Sequence, residues 1–246
     1  MQKLISKDFV GPKGVAAKFF FRQEIADECT IQATYKEDEY GFANLKPEPG
    51  DLMIDGGGYI GTTAILYAQL YPLARVICVE PMPENVEIIQ KNIDTNKLND
   101  RILLIQKALW GSSMKKVKVF YRDESKIGKA HKFIGSSYPD YHESVSKDYF
   151  EALTITIADI IKTGVSKQVR VLKLDVEGAE YEILANTIEE DQKKIQTIVG
   201  EYHNIRPEKI TNPRSLLYNF VGDCFVDKSQ GEEVKTWGSF LFERRQ

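Results

Sequence analysis

The stretch "DLMIDGGGYIGTTAILYAQL" (51–70), followed by "RVICVE" (75–80), constrains this chain more than any other. An apolar strand, 51–55, runs into three glycines; the pattern turns helical over 60–70, and a second strand follows that is apolar almost throughout. A strand covered on both faces has that unbroken apolar character. Glycines between a strand and a helix let the backbone approach a ligand closely, with the free N–H groups of the helix start facing it.

The alternation continues. "RILLIQKAL" (101–109) predicts a third strand and "KKVKVFY" (115–121) a half-exposed one, while 83–96 predicts a helix with Val86, Ile89 and Ile93 on one face. Further on, "LTITIADII" runs from a short strand into a helix. "VRVLKLDV" (169–176) and "IQTIVGEYH" (195–203) read as strands flanking a helix over 179–185, and "CFVDKS" and "GSFLFERR" as a hairpin at the sheet edge. Alternating β and α elements predict a doubly wound, mostly parallel sheet. Residues 1–50, closed by "KPEPGD", are expected to form an N-terminal extension packing on a cofactor-binding domain of residues 51–246. The stretch 122–150 interrupts the rhythm and is too long for a connector, which predicts a substrate-side insertion acting as a lid. It carries Phe133, Tyr138, Tyr141 and Tyr149, suited to stacking on a sugar or ring. Lys126, Lys129 and Lys132 would steer an acidic acceptor, and His131 and His142 read as solvated loop residues.

Composition narrows the class of partner. The 246 residues carry a net charge of −3, which points away from nucleic acid. No run approaches the roughly 18 apolar residues of a membrane span, and the N-terminus lacks the apolar core of a signal peptide. Cys29, Cys78 and Cys224 are widely spaced and form no C-x-x-C, so they are expected to be buried thiols in a reducing, cytoplasmic compartment. Nothing in the sequence indicates an oligomeric state.

The glycines admit two cofactors. Gly56, Gly58 and Gly61 spell the dinucleotide fingerprint G-x-G-x-x-G, whereas Asp55, Gly57 and Gly61 spell the D-x-G-x-x-x-G of S-adenosylmethionine sites. A dinucleotide lays its pyrophosphate on the helix start, where a carboxylate at the strand end would repel it. S-adenosylmethionine offers an ammonium and a sulfonium instead, and Asp55 suits both. Glu80, ending the second strand, would accept both ribose hydroxyls of either cofactor. The plain alternative for Asp55 is a helix N-cap. The rival enzyme, a nicotinamide-dependent reductase, lacks a visible Tyr-x-x-x-Lys pair. A non-enzymatic cofactor binder has no need of the acids described next.

Asp175 ends the fourth core strand, and Glu201 with His203 ends the fifth. Residues two apart on a strand share a face, and ligands bind at the carboxyl ends of such strands, so these three are predicted to converge. An alcohol is far less acidic than imidazolium, so its methylation profits from a base or a metal. Either His203 is the general base, or Asp175, Glu201 and His203 hold a divalent ion such as Mg²⁺. The structural alternative is that Glu177 and Glu180 cap the helix opened by Gly178.

"IDGGGYIG", "VICVEPMPENVEIIQKNI", "QKALWG", "LKLDVEGAEYEIL" and "GEYH" follow one another over roughly residues 50–205. In these the chain resembles the FkbM-type S-adenosylmethionine-dependent methyltransferases, most specifically in the Asp175–Glu180 run. It departs from them at Gly57-Gly58-Tyr59, where the family commonly carries a Gly-Ala-Asn type loop. The resemblance implies a seven-stranded class I methyltransferase sheet with an antiparallel last strand. It also implies O-methylation, here of a small-molecule or saccharide acceptor. It assigns Asp55, Gly57 and Gly61 to the amino-acid end of the cofactor and Glu80 to the ribose. Pro81 and Met82 would flank the adenine, and Lys107 and Ala108 would contact it. Ser136 and Ser137 resemble a small Ser motif near the family's active site.

Overall fold

The chain opens with an antiparallel hairpin, β1 (Leu4–Val10) and β2 (Ala16–Arg22), followed by the helix α1 (Asp27–Gln32). A computed structural model describes residues 3–23, 26–122, 135–138, 145–166, 168–206 and 208–245. After the Pro-Gly turn come β3 (Leu52–Gly56), α2 (Thr62–Leu70), β4 (Arg75–Val79), α3 (Pro83–Thr95) and β5 (Ile102–Ile105). Later strands are β6 (Ala108–Leu109), β7 (Lys116–Arg122), β8 (Val145–Ile155), β9 (Val169–Leu174), β10 (Ile195–His203), β11 (Phe225–Asp227) and β12 (Trp237–Arg244).

The central sheet has seven strands in the order β11-β12-β10-β9-β3-β4-β5. Neighbours from β10 to β5 are parallel, and β12 alone runs against the rest, antiparallel to both β10 and β11. The expected edge hairpin is thus present. From β3 the chain winds outward through β4 and β5, then returns to β9 on the other side of β3. That reversal opens a crevice at the carboxyl ends of β3 and β9, the usual ligand position in such sheets.

Burial explains the sequence patterns. All five residues of β3 are buried, as are five of the six in β9, because helices cover both faces. Seven of the nine residues of α2 are buried. It touches β3, β4 and β5 on one side and the N-terminal segment on the other, so it lacks a polar face. By contrast α3 is amphipathic, started by Pro83, with Ile88, Ile89 and Ile93 inward. Its Asn92 reaches out to β2, accepting from Phe20 N at 2.7 Å and donating to the carbonyls of Phe20 and Ile60. Phe9, Phe19, Phe21, Ile31, Tyr35 and Phe42 share one buried cluster with Ile65, Tyr67 and Ile89. Each such side chain contributes roughly 1.5–3 kcal/mol by burial, so residues before 50 are core rather than appendage.

Two expectations need correcting. "RILLIQKAL" is not one strand: Lys107 N turns back to Ile105 O at 3.0 Å, ending β5. Ala108 and Leu109 instead pair with Thr154 and Ile155 of β8. With β7 antiparallel to β8, they make a separate three-stranded ribbon. "LTI" (153–155) is therefore the end of an eleven-residue strand, with Thr156 capping the helix that follows, and 145–150 is strand rather than lid. Tyr149 lies exposed on that ribbon, against Phe120 and beneath Lys118. Lys126, Lys129, Lys132, His131, His142, Phe133 and Tyr141 lie outside the described residues. Of the thiols, Cys78 is buried, Cys29 is exposed and Cys224 partly so. Among the described residues no helix is long and apolar enough to cross a membrane.

Candidate active site

A cleft opens at the carboxyl ends of β3 and β9, enclosing about 920 Å³ with open solvent at its mouth included, within the range of small-molecule sites. Its floor is the glycine loop. Gly57 has a φ of +79° and lies so close to the strand end of β9 that a Cβ would collide with the Asp175 carbonyl. Gly57 N and Gly58 N both donate to Val79 O, folding the loop back onto β4. Gly61 (φ +86°) does not line the cleft; it turns the chain into α2 against Ile89.

Tyr59 occupies the left-handed region, φ +51°, which is uncommon for a bulky residue. Its side chain shows why it is held there. The hydroxyl donates to Asp27 Oδ1 at 2.6 Å, and Arg22, lying over the ring, binds Asp27 through Nε and Nη2. Gly57-Gly58-Tyr59 thus forms a loop that is bolted to the N-terminal hairpin.

Asp55 is not where its strand-end position suggested. It is fully buried and faces its cross-strand partner Lys173, whose Nζ lies 3.3 Å from Oδ1. Cys78 is the other cross-strand neighbour, its Sγ 3.8 Å from Oδ2. Lys173, not Asp55, lines the cleft, and its ammonium donates to Gly57 O at 2.8 Å. Burial pulls the Lys173 ammonium down, but Asp55 and Asp175 more than compensate and hold it above its usual value. The repulsion argument against a pyrophosphate therefore fails, because Asp55 is neutralised. Its sequence signal was a lysine inside an otherwise apolar strand, "VLKLDV", which demands a buried carboxylate.

Glu80 lines the cleft and is 5% exposed. Oε2 accepts from Tyr59 N, and Oε1 accepts from Met82 N and Asn85 Nδ2. Burial raises its carboxyl to about 7 despite these bonds. Pro81, Met82 and Ala108 line the same wall; Lys107 does not.

The acids converge at the other end. Asp175 Oδ2 accepts from the Tyr40 hydroxyl at 3.3 Å, with Lys173 Nζ at 3.7 Å. His203 Nε2 lies 3.9 Å from Asp175 Oδ1, 3.9 Å from Glu177 Oε2 and 3.8 Å from Glu201 Oε2. His203 Nδ1 meets the buried Glu180 at 3.0 Å. Glu180 also accepts from Val176 N and Gly178 N, so it caps the turn. Glu177 does not cap; at φ +54° it turns to the cleft and binds Arg122 of β7 at 2.7 Å.

Burial would depress His203, but the carboxylates of Glu177, Glu180 and Asp175 override it and raise the imidazole to about 10. His203 is thus an imidazolium at neutral pH and not a ready base. Glu201, raised by burial and by Asp175 to about 7, is better matched to accept a proton. The atoms close enough to share an ion belong to Asp175, Glu177 and His203, within 4.8 Å of one another. Glu177, not Glu201, completes that set, and His203 and Arg122 already neutralise it.

Residues outside the expected set also line the cleft, Thr30, Glu39 and Tyr40 from the N-terminal segment and Gly135 beside the ribbon, together with Ser137 of the Ser pair. Ser136 is buried and donates to Glu177 O at 2.7 Å, so it fixes the acid turn while Ser137 faces the cleft.

Residues 55–236 match the sequence profile described as the Methyltransferase FkbM domain, well over half of the chain. The chain belongs to the FkbM methyltransferase family. It is similar to Methyltransferase sdnD of Sordaria araneosa, 22% identical over 218 residues that cover 79% of each chain. It is likewise similar to 31-O-demethyl-FK506 methyltransferase FkbM of Streptomyces tacrolimicus, 22% identical over 77% of this chain and 75% of that protein. A looser likeness in shape links it to the O-methyltransferase from Bacillus cereus in complex with S-adenosylhomocysteine. There the TM-score is 0.45 and identity 12%, over 91% and 92% of the two chains. This FkbM-family enzyme is a methyltransferase using S-adenosylmethionine, on the class I sheet described above.

The residues present fit that cofactor. A carboxylate has about four acceptor positions, and Glu80 accepts three hydrogen bonds, leaving capacity for ribose hydroxyls beside a loop whose glycines admit no side chain. A pH dependence follows. Ribose hydroxyls held by Glu80 would need the ionised carboxylate, so protons would compete and affinity is expected to fall as pH falls through about 7. S-adenosylhomocysteine should bind the FkbM-family enzyme about tenfold tighter at pH 8 than at pH 6. Calorimetric titration checks this, with Glu80→Gln expected to be flat. A pH-independent wild-type affinity would remove Glu80 from the ribose site.

Proposed function

We propose that the enzyme O-methylates a hydroxyl group of a small molecule or sugar. The observation that carries this reading is the set of carboxylates, Asp175, Glu177 and Glu201, gathered within 4 Å of His203 Nε2, with Asp175 and Glu177 lining the cleft. Attack of an alcohol on a methyl group requires loss of its proton, and Asp175, which lines the cleft, is the acceptor in this reading. The fixed positive charge of His203 steadies the oxygen as the proton leaves. Lys173 holds Asp175 and the Gly57 carbonyl at once, linking the acceptor end to the cofactor loop. When bound, S-adenosylmethionine supplies an electrophilic methyl group and keeps the S–C bond pair as the thioether forms. The name of the Streptomyces relative, which states a 31-O-demethyl substrate, agrees with an oxygen acceptor. The net charge of −3 favours a small acceptor over a polyanion, and three free thiols favour the cytoplasm.

A divalent ion is the second reading, favoured by the spacing of Asp175, Glu177 and His203. It would have to displace the His203 proton and compete with Arg122.

One experiment addresses both. The enzyme is incubated with isotopically methyl-labelled S-adenosylmethionine and pooled hydroxylated metabolites, with and without EDTA, and read by mass spectrometry. The expected result is label in acid-stable methyl ethers, unchanged by EDTA. Label on nitrogen would overturn the oxygen assignment, and loss with EDTA restored by Mg²⁺ would establish the metal.

A further inference from the structure

Tyr40 lies ahead of the family-matched residues 55–236, yet its hydroxyl reaches the acid cluster. Its position is built rather than incidental. Asp38, at φ +48°, accepts from Phe42 N and Ala43 N at 2.9 Å each, and Gly41 N returns to Asp38 O at 2.7 Å. This turn stacks the Tyr40 ring on Phe42 at 5.7 Å, and Phe42 is itself fully buried against Tyr67 of α2. The Lys173 ammonium sits 5.7 Å from the ring centre.

The two oxygens of Asp175 consequently differ. Oδ2 is taken by the Tyr40 hydroxyl at 3.3 Å and approached by Lys173 at 3.7 Å. Oδ1 faces His203 Nε2 at 3.9 Å, beyond hydrogen-bond range, which leaves it able to receive a proton from a third group. Burial and the carboxylates of Asp175, Glu39 and Glu201 hold the Tyr40 phenol well above its usual range. It stays a donor at any working pH and is not itself a base.

We propose that Tyr40 is a positioning residue for methyl transfer: by occupying Oδ2 of Asp175 it turns Oδ1 toward the acceptor hydroxyl. This rests on the reading of Asp175 as a proton acceptor in O-methylation. In that step the acceptor O–H bond breaks with its proton passing to Oδ1, the O–CH₃ bond forms, and the S–CH₃ pair returns to sulfur. The charged groups facing Asp175 are Lys173 from β9, His203 and Glu201 from β10, Glu177 from the following turn and Glu39 from the N-terminal segment.

Tyr40→Phe keeps the ring and removes the donor. Single-turnover rates are measured at saturating labelled S-adenosylmethionine with the metabolite pool that wild type methylates, scoring total methyl transferred whatever the acceptor atom. The variant should transfer methyl about tenfold to a hundredfold more slowly, with S-adenosylhomocysteine affinity and melting temperature unchanged. In an Asp175→Asn background the same substitution should cost nothing further. A crystal structure of Tyr40→Phe should show the Asp175 carboxylate rotated toward His203, a readout that needs no acceptor. An unaltered carboxylate, or full additivity with Asp175→Asn, overturns the role of Tyr40. Label found on nitrogen sinks the O-methylation reading separately, since the coupling is still read from total transfer.

Discussion

Asp175→Asn is expected to lower the rate of methyl transfer by about 10²–10⁴-fold, the usual contribution of a positioned acid or base. The asparagine keeps the shape and removes the proton acceptor. The Asp175 side chain is 29% exposed, so the fold does not depend on its charge, and Lys173 retains Asp55 at 3.3 Å. Melting temperature and S-adenosylhomocysteine affinity should therefore stay close to wild type while turnover collapses. Steady-state kinetics with calorimetry separates the two. Wild-type turnover in Asp175→Asn would remove Asp175 as the proton acceptor.

Lys173→Met should produce the largest loss of stability of any single substitution at the site. Lys173 is 2% exposed and Asp55 fully buried, so the change strands a carboxylate in the sheet. Removing one member of a buried ion pair costs about 3–5 kcal/mol. For a chain of this size that lowers the melting temperature by roughly 6–20 °C. The penalty should grow with pH. Without the ammonium, Asp55 keeps its proton in the folded chain at pH values where the unfolded chain, near 3.8, has lost it. The folded state then binds more protons, and stability falls as pH rises above about 4. Adding Asp55→Asn should recover most of the loss by removing the stranded charge. If Lys173→Met melts with wild type at pH 8, Asp55 is not held as an anion in the native sheet.

Those two substitutions also mark what the sequence disclosed. β3, β4, β9 and β10 were legible because buried parallel strands are apolar on both faces, and 195–203 is strand throughout as read. Asp175, Glu201 and His203 converge because strand ends and two-residue spacing fix direction independently of loops. The Asp55–Lys173 pair had its clue, but the partner of a buried lysine is chosen by register, here Asp55 opposite Lys173, and register is a property of three aligned strands. Tyr40 and Thr30 gave no signal at all. Thr30 is carried by the short helix α1, and Tyr40 depends on left-handed turns at Asp38 and Gly41, which no periodicity encodes. Glu177 read as a helix-start acid because its real partner, Arg122, stands on a ribbon 55 residues earlier. That ribbon was missed because the apolar run 101–109 breaks only where Ala108 finds Thr154.

The hairpin beneath Tyr40 has a consequence for exchanging properties between relatives. Thr30, Glu39 and Tyr40 form a wall of the cleft, while Phe9, Phe19 and Phe21 of the same segment are packed among the residues of α2 and α3. The wall cannot be recoloured like a free surface loop, since its backing is shared with the scaffold. A graft of residues 26–45 alone would arrive without the aromatic underside that sets its height, and without the Asn92 clasp that seats β2. Transplanting this side of the cleft means carrying the first fifty residues as a block, together with the outward face of α3.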